Sequence, residues 1–539
     1  MKEKTKLFKM IASIVCIMIV LTMFSTYSFA SVADDAKATI TINKLEQGIN
    51  LTAYKITTAN FHDNQFAEPQ FAWVEQVKTW LESNETYKIY ASDIEKFDED
   101  MEDNAANTKA FYSALTEAIK SGDITGLTTK ETTASGTLGY GGYPEKDEQL
   151  TATATFSDLE MGSYLIFVNG GYRVYEPVIV NAYPQASGGD YTLPAFSADV
   201  KSSTPTISKT VNGAHKDSVS TKDVINYEIT ADVPTYLPNT TAKAYYISDK
   251  LDSGLVLNKD SIKVYGKSGT ETLLTKDTHY TLTTENAQRP VADANQNVTF
   301  SINFNYDQIS QYDQIIVRYE AGLDTTVQPG TGYSNKAFLD YNNDPYVDTS
   351  FNTQETGTDG DTDPDKVPDP DRPDEDVTVY TYGMEVTKVD KANTQTKLPG
   401  AEFALSIKDS GTKLKFTKTA DGTYYLSNDG VENMAVGADG VLRIYGLDEE
   451  IYTLEETKAP NGYNLASEKK DITIADKNLD GVLDSDTNGV TEFEFTNSQG
   501  FQLPVTGGIG TTIFVACGIV FLGIGIGLMF VAIKKRNVK

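Results

Sequence analysis

An acidic segment near the end of the chain spaces its oxygen-bearing side chains as a calcium-binding loop does. Positions one, three, five and nine of this segment are Asp476, Asn478, Asp480 and Asp484, and position six is a glycine. These are the first nine positions of an EF-hand loop, whose carboxylate and amide oxygens bind Ca²⁺. The twelfth position is a threonine rather than a bidentate glutamate. The spacing predicts a weak calcium site, and an acidic hairpin loop without metal is the alternative.

Side chains that serve as nucleophiles or bases in hydrolytic enzymes are scarce. The three histidines, His62, His215 and His279, are scattered along the chain, and both cysteines, Cys16 and Cys517, lie in apolar terminal segments. We therefore expect no enzyme and no required cofactor. Exported proteins commonly use disulfides, but the long segment between the termini has no cysteine. Covalent reinforcement of that segment would need other chemistry.

The charge and the residue pattern indicate an acidic β protein. The net charge of −30 comes from 46 Lys and Arg against 76 Asp and Glu, which disfavours nucleic acid as a partner. Apolar and polar residues alternate over most segments, for example 262–265, 315–319 and 492–495. This alternation is typical of half-buried strands. We expect a mostly β, multi-domain protein.

Changes of composition divide the chain into parts. We expect an N-terminal β domain at 31–201, a middle β domain at 202–350, an acidic Pro/Asp-rich linker or inserted loop at 351–376, and a C-terminal β domain at 377–500. Helical spacing in the first domain predicts two short helical insertions. Their apolar positions are Trp73, Val77, Trp80 and Leu81 in one, and Phe111, Leu115 and Ile119 in the other.

The N-terminus has the pattern of a secretory signal. Four lysines within residues 2–9 precede an apolar run at 10–23, and small residues follow up to Ala30. This is the order of a signal peptide, residues 1–30, cleaved after Ala30, with cleavage after Ala33 as the second choice. A retained N-terminal helix is the alternative, but the run is short for a membrane span.

The C-terminus carries three features in order. Leu503-Pro504-Val505-Thr506-Gly507 is followed by an apolar run at 509–533 and a basic tail at 534–539. The run is long enough to cross a bilayer, and the basic tail would hold it there. The segment 501–539 resembles the LPxTG sorting signal of Gram-positive surface proteins. The resemblance implies sortase cleavage between Thr506 and Gly507 and attachment to peptidoglycan; a membrane anchor with a chance pentapeptide is the alternative.

The third domain contains two motifs of a known repeat. Residues 398–403 read LPGAEF, and residues 452–463 read YTLEETKAPNGY. The second resembles the E-box, Y-x-L-x-E-T-x-A-P-x-G-Y, of collagen-adhesin B-type domains, which are immunoglobulin-like β-sandwiches. The resemblance implies an isopeptide bond between Lys388 and Asn497, with Glu456 as the catalytic acid. A buried salt bridge beside an asparagine is the alternative.

The chemistry suits these residue types. Burial favours the neutral, nucleophilic form of a lysine and the protonated form of a carboxylic acid. Attack of the amine on the amide carbon would release ammonia, and packing would supply the proximity.

The middle domain resembles that of Gram-positive backbone pilins. The segments 206–211, 247–255 and 333–339 supply a lysine, an acid and an asparagine. The resemblance implies a bond between Lys209 and Asn335 with Asp249 as catalyst. We find no comparable set in the first domain, where Lys44 has the early-strand position without an E-box.

Taken together, the chain resembles the major (backbone) subunit of sortase-assembled pili. The resemblance implies polymerisation of identical subunits by a class C-type pilus sortase, wall attachment by a housekeeping sortase, and adhesion to a host or other surface. The acceptor lysine of that family follows Tyr-Pro, but here residues 183–185 read Tyr-Pro-Gln. Lys201, at the end of the first domain, is the acceptor that we predict. A monomeric wall-anchored adhesin is the alternative function.

Overall fold

The structure is a computed structural model. It describes residues 31–101, 104–136, 150–171, 173–203, 205–237, 240–291, 297–325, 327–344, 346, 351–355, 377–486, 488–500 and 509–536. The signal segment and most of the acidic segment, 356–376, lie outside this range. The mostly β, multi-domain fold expected from the sequence is confirmed.

The first domain is a two-sheet sandwich with helices on one side. Its elements are β1 Ala38–Leu45, β2 Asn50–Lys55, β3 Thr57–His62, β4 Gln65–Trp73, α1 Glu75–Ser83, a 3-10 turn at Lys88–Tyr90, α2 Ile94–Met101, α3 Ala105–Ser121, β5 Thr129–Thr133, β6 Ala152–Leu159, β7 Gly162–Asn169, β8 Val174–Tyr175, β9 Val178–Ala182, β10 Gln185–Ser187, β11 Asp190–Thr192, β12 Phe196–Asp199 and β13 Ser202–Ser203. Sheets β12-β1-β6 and β5-β2-β7-β9 enclose one apolar core.

The helical insertions form a second core against the other face of the β2–β7–β9 sheet. Val77 and Leu81 of α1 and Phe111 of α3 are buried there. The predicted helices are therefore present, but Trp73 was wrongly placed in the first of them. It ends strand β4, where its indole nitrogen donates a hydrogen bond of 2.9 Å to the Tyr90 carbonyl. The tryptophans serve packing rather than an exposed platform.

The middle domain is built from two larger sheets. Its elements are β14 Ile207–Val211, β15 Lys216–Ser218, β16 Ile225–Asp232, β17 Tyr245–Leu251, β18 Leu255–Ser268, β19 Thr270–Leu273, β20 Tyr280–Thr283, β21 Phe300–Phe304, α4 Tyr306–Ile309, β22 Gln314–Leu323, β23 Tyr333–Asn342, β24 Phe351–Glu355 and β25 Val377–Tyr380. One sheet has the order β14-β16-β22-β18-β19, and the other β15-β25-β23-β17-β21-β20, with β24 also paired to β23.

The acidic segment connects two strands of this one sheet. Strand β24 precedes the segment and β25 follows it, and both pair with β23. Of the two interpretations made from the sequence, the pairing supports an inserted loop rather than an interdomain linker. Residues 377–379 accordingly group with the middle domain, and the first two domains, apart from residues 218–223 and 323–332, form one of the two compact units of the chain. The second unit begins its main segment at Tyr380.

The third domain is again a two-sheet sandwich around one core. Its strands are β26 Tyr382–Asp390, β27 Asn393–Lys397, β28 Glu402–Ile407, β29 Lys415–Ala420, β30 Thr423–Ser427, β31 Met434–Ala435, β32 Val441–Leu447, β33 Glu450–Lys458, β34 Lys470–Ile474 and β35 Val490–Asn497. The sheets are β27-β26-β32-β30-β29 and β31-β28-β33-β34, and β35 pairs in parallel with β26. A helix, α5, spans Ile509–Arg536.

The acidic loop after β34 is held by a buried carboxylate. Asp476 is 0% exposed, and its Oδ2 accepts hydrogen bonds from the Tyr382 hydroxyl at 2.9 Å and the Gly481 amide at 2.8 Å. Asp484 pairs instead with Lys477 at 2.8 Å. Among the described residues, no group of three or more His, Cys, Asp or Glu side chains is arranged to hold a metal ion. The loop's own hydrogen bonds use these oxygens, and calcium binding stays a prediction.

Replacing Asp476 tests this account of the loop. Asp476→Ala leaves the buried Tyr382 hydroxyl without its acceptor, so we expect the free energy of unfolding of the third domain to fall by about 1–3 kcal/mol. Asp480→Ala, at an exposed position of the same loop, should cost less. Calorimetric unfolding in the presence of a calcium chelator measures both variants. Two results together would contradict this account: Asp476→Ala unfolds with wild-type stability, and the wild type shows calcium-binding heat that Asp480→Ala abolishes. They would indicate that a metal ion holds the loop instead.

Candidate functional site

The middle domain brings its three predicted site residues together in the core. Lys209 lies on β14 of one sheet, and Asp249 and Asn335 lie on the paired strands β17 and β23 of the other. Nζ of Lys209 donates hydrogen bonds to Oδ2 of Asp249 and, at 2.5 Å, to Oδ1 of Asn335. All three side chains are buried. The lysine therefore bridges the two sheets and ends at an amide and an acid.

The strand period explains why a lysine points into this core. Ile207, Lys209 and Val211 alternate with partly exposed residues along β14, so Lys209 has a core position. Its Nζ lies 5.3 Å and 5.6 Å from the ring centroids of Tyr227 and Tyr319. Aromatic faces attract a cation, which offsets part of its desolvation.

The acid of this cluster is shifted toward its neutral form. Burial raises the pKa of Asp249 above its ordinary value, although the neighbouring Lys209 opposes the rise. A proton shared between amine and carboxyl thus has a state in which the amine is neutral and the acid protonated. That state combines a nucleophile with a proton donor.

The third domain has a second cluster of the same composition. Lys388 lies on β26, Asn497 on the parallel neighbour β35, and Glu456 on β33 of the facing sheet. Nζ of Lys388 donates hydrogen bonds to Oδ1 of Asn497 and, at 2.9 Å, to the Phe495 carbonyl. It lies 3.7 Å from Oε1 of Glu456. The three side chains are at most 2% exposed.

The amide of Asn497 is held at both ends. Its Nδ2 donates to Oε2 of Glu456 and to the Asn464 carbonyl, each at 2.8 Å. Oε1 of Glu456 accepts no hydrogen bond from the described residues. The acid thus lies between the amine on one side and the amide nitrogen on the other.

Burial lowers the pKa of Lys388 to about 8, and the attraction of Glu456 opposes this only in part. A substantial fraction of this amine is therefore neutral near physiological pH. A neutral amine hydrogen-bonded to an amide carbonyl is positioned to reach the amide carbon.

The first domain has a different arrangement. Lys44 is exposed and pairs with Asp199 at 2.9 Å. A lysine that the sequence analysis passed over, Lys55, is buried at the end of β2, and its Nζ donates to Glu160 at 2.6 Å. Glu160 is largely exposed, and no asparagine hydrogen-bonds to Lys55 among the described residues. The alternation of residues along β2 places Lys55 on the face toward the core, and this pattern could have identified it as a buried lysine.

The predicted acceptor, Lys201, lies between β12 and β13. Its side chain is exposed and makes no ion pair or hydrogen bond with the described residues, while its carbonyl accepts from the Glu176 amide at 2.9 Å. The backbone of Lys201 is thus held by a hydrogen bond, while its side-chain amine is accessible to solvent. Gln185, which follows Tyr-Pro, begins the hairpin strand β10.

The sorting residues Leu503, Pro504, Thr506 and Gly507 lie outside the described residues. The helix that follows them, α5, contains a stretch, Phe514–Ile533, that is long and apolar enough to cross a membrane, with a mean hydropathy of 2.6.

Comparisons with known families match two segments in the last third of the chain. Residues 383–488 match the SpaA family, described as a prealbumin-like fold domain. Residues 496–539 match the LPXTG cell wall anchor motif. The first match contains the cluster residues Lys388 and Glu456, and the second begins just before Asn497.

Two curated proteins are similar over a longer stretch. The trypsin-resistant surface T6 protein of Streptococcus pyogenes serotype M6 is 28% identical over 337 residues, which are 60% of this chain and 57% of that protein. The type 1 fimbrial subunit of Actinomyces viscosus is 25% identical, over 58% of this chain and 61% of that protein. The chain thus matches less than two thirds of the length of either relative.

Solved structures show the same fold. The T6 backbone pilin of S. pyogenes serotype M6 covers 87% of this chain and is itself covered completely, with a TM-score of 0.56 at 20% identity. The full-length major pilin SpaD of Corynebacterium diphtheriae covers 88%, with a TM-score of 0.50 at 19% identity. The wall anchor motif makes the chain a cell-wall-anchored surface protein, and the prealbumin-like domain and these relatives make it similar to the major pilins of Gram-positive bacteria.

Proposed function

We propose that this chain is the backbone subunit of a covalently polymerised pilus, and that each subunit is stabilised by two internal isopeptide bonds, Lys209–Asn335 and Lys388–Asn497. The observation that carries the proposal is the pair of buried lysine, acid and asparagine clusters in a segment without cysteine. Burying a lysine ammonium costs hydration free energy, so a lysine without a special role would lie at the surface.

The reaction at each cluster is a condensation without an external reagent. The neutral lysine nitrogen attacks the Asn side-chain carbon, and the carbonyl electron pair moves onto Oδ1. The acid, Asp249 or Glu456, gives one proton toward the amide nitrogen and takes one from the attacking nitrogen. The Cγ–Nδ2 bond then breaks, so that one ammonia leaves and one secondary amide remains. The protein acts once on itself and is not an enzyme.

Polymerisation would join Thr506 of one subunit to Lys201 of another. A pilus sortase of class C type would cleave after Thr506 and hold its carboxyl group as an acyl-enzyme. The exposed amine of Lys201 on a second subunit would then attack, forming an amide and releasing the sortase thiol. A housekeeping sortase would join the last subunit to peptidoglycan, and the fibre would serve adhesion to a host or other surface.

The mass of the ectodomain tests the internal bonds directly. We expect residues 31–500, expressed as one chain, to be lighter than the sequence mass by two ammonia molecules, because each condensation removes one. Intact-mass spectrometry measures the deficit, and tryptic peptides locate it. A full sequence mass would refute both bonds.

The acids have separable effects. Asp249→Ala should abolish the Lys209–Asn335 bond alone, and Glu456→Ala the Lys388–Asn497 bond alone, so each variant should lose one ammonia instead of two. The exposed neighbours Asp260 and Glu455 offer matched controls, since Asp260→Ala and Glu455→Ala remove a carboxylate outside the clusters. If an acid variant keeps the full deficit, that acid is not the catalyst.

The acceptor is tested in cells that assemble the fibre. Lys201→Arg keeps the positive charge but removes a usable nucleophile, because a guanidinium stays protonated. We expect it to abolish the ladder of covalent multimers on denaturing gels of wall extracts, while monomer remains attached to the wall. Lys130→Arg changes another exposed lysine of the first domain and should leave the ladder intact. Persistent ladders in Lys201→Arg would assign the acceptor to another lysine, and a wild type without ladders would favour a monomeric adhesin.

A further inference from the structure

The two clusters hold their amide nitrogens by different groups. In the third domain, Nδ2 of Asn497 donates to the catalytic acid itself, Glu456. In the middle domain, Asp249 contacts the amine but makes no hydrogen bond to Asn335 among the described residues. There, Nδ2 of Asn335 donates instead to the hydroxyl of Tyr319, at 2.8 Å. The departing nitrogen therefore has no direct contact with its acid in the middle domain.

Tyr319 is fixed in place by its neighbours. It is 2% exposed on β22 and stacks on Tyr227 of the adjacent strand, with ring centroids 5.3 Å apart and planes 20° apart. Phe300 packs against it in a T-shaped arrangement, with ring centroids 5.1 Å apart. The Tyr319 hydroxyl also lowers the pKa of the nearby Asp249 carboxyl, whose Oδ1 accepts no hydrogen bond from the described residues. The hydroxyl thus has the amide nitrogen as a hydrogen-bond partner and the acid as an electrostatic neighbour.

We propose that Tyr319 is a catalytic residue of the middle-domain condensation, and that its hydroxyl relays a proton from Asp249 to the departing nitrogen of Asn335. This inference rests on the cross-linking function proposed above. The third domain needs no such relay, because Glu456 reaches the nitrogen directly. The aromatic residue beside Lys388 in that domain is a phenylalanine, Phe495, at 5.2 Å, which has no hydroxyl.

The relay balances the reaction. The amine attacks in the state in which it is neutral and Asp249 holds the shared proton, and the attack leaves the lysine nitrogen with one proton in excess. Once the amide carbon is tetrahedral, Nδ2 has a lone pair and accepts a proton from the Tyr319 hydroxyl. Tyr319 takes a proton from Asp249 in the same step, and Nδ2 leaves as ammonia. The carboxylate of Asp249 that this step forms takes the excess proton of the lysine nitrogen. The net transfer is one proton from the lysine to the leaving nitrogen.

The electrostatics support a hydroxyl that stays protonated. Burial raises the pKa of Tyr319 well above its ordinary value, and the nearby Asp249 adds to the rise. Tyr319 therefore does not ionise at neutral pH, and it has a proton to give whenever it receives one.

Removing one hydroxyl tests the relay. The ectodomain, residues 31–500, is made by cell-free translation, stopped in denaturant at successive times, and the fraction of each bond is read from peptide masses. We expect Tyr319→Phe to slow formation of the Lys209–Asn335 bond about 100-fold, the usual range for loss of a general acid. The Lys388–Asn497 bond of the same chain should form at its wild-type rate and serves as the internal control.

Tyr227→Phe is the matched variant. It removes the hydroxyl of the other ring in the stacked pair. This hydroxyl lies near the Asn335 amide but makes no hydrogen bond with the described residues. We expect it to change the rate much less. Equal rates for Tyr319→Phe and wild type would overturn the inference and leave the proposed function standing. A wild type that loses no ammonia in the middle domain would overturn both.

A conservative replacement separates proton transfer from packing. With 3-fluorotyrosine at position 319 the ring keeps nearly its size and its hydroxyl, but the hydroxyl is more acidic. We expect an altered pH profile of bond formation, and no such change with 3-fluorotyrosine at position 227. An unaltered profile at position 319 would assign Tyr319 a packing role only and overturn the relay.

Discussion

The burial of one amine in each of two β-sandwich cores is the constraint on which the rest of the site depends. An ammonium moved into such a core loses several kcal/mol of hydration, and the loss is offset only by close, well-oriented partners. Lys209 and Lys388 each have a carboxyl, an amide oxygen and an aromatic ring around Nζ. Replacing such a cluster by apolar side chains is often neutral or stabilising. Electrostatic stability alone is therefore a poor reason for two such clusters, whereas covalent chemistry requires each of their members.

The clusters also lie where a cross-link would matter for a fibre. In the third domain, β26 is the first strand and β35 the last, and the two are parallel neighbours. A bond between them would connect the points where the chain enters and leaves the domain, so a pulling force would bypass the interior strands. In the middle domain the bond would join β14 to β23 and enclose most of the domain in one covalent loop. Long closed loops restrict the unfolded chain most strongly in the chain-entropy account.

The sequence predicts the clusters better than their surroundings. The resemblance of residues 452–463 to the E-box implies Glu456, and the resemblance of the middle domain to backbone pilins implies Lys209, so both residues are named without a structure. By contrast, Trp73 ends a strand because it pairs across a hairpin with Thr57, which helical periodicity cannot show. The return of Val377–Tyr380 to the middle sheet is likewise a long-range pairing. Tyr319 was missed because the alternation of residues along a strand predicts that a side chain is buried, but not which group its hydroxyl contacts.

The choice of acid follows from the distance between strands. In the middle domain, Asp249 and Asn335 lie on paired strands with Leu251 opposite Asn335, so the acid is a diagonal neighbour and the long lysine crosses from the facing sheet. In the third domain, Lys388 and Asn497 share a sheet, and the acid must cross the roughly 10 Å between sheets. Glu456 has one more methylene group than an aspartate, which lengthens it for that span, and its carboxyl group lies near both the Lys388 amine and the Asn497 amide nitrogen. The shorter aspartate meets only the amine, which leaves the amide nitrogen of Asn335 to the hydroxyl of Tyr319.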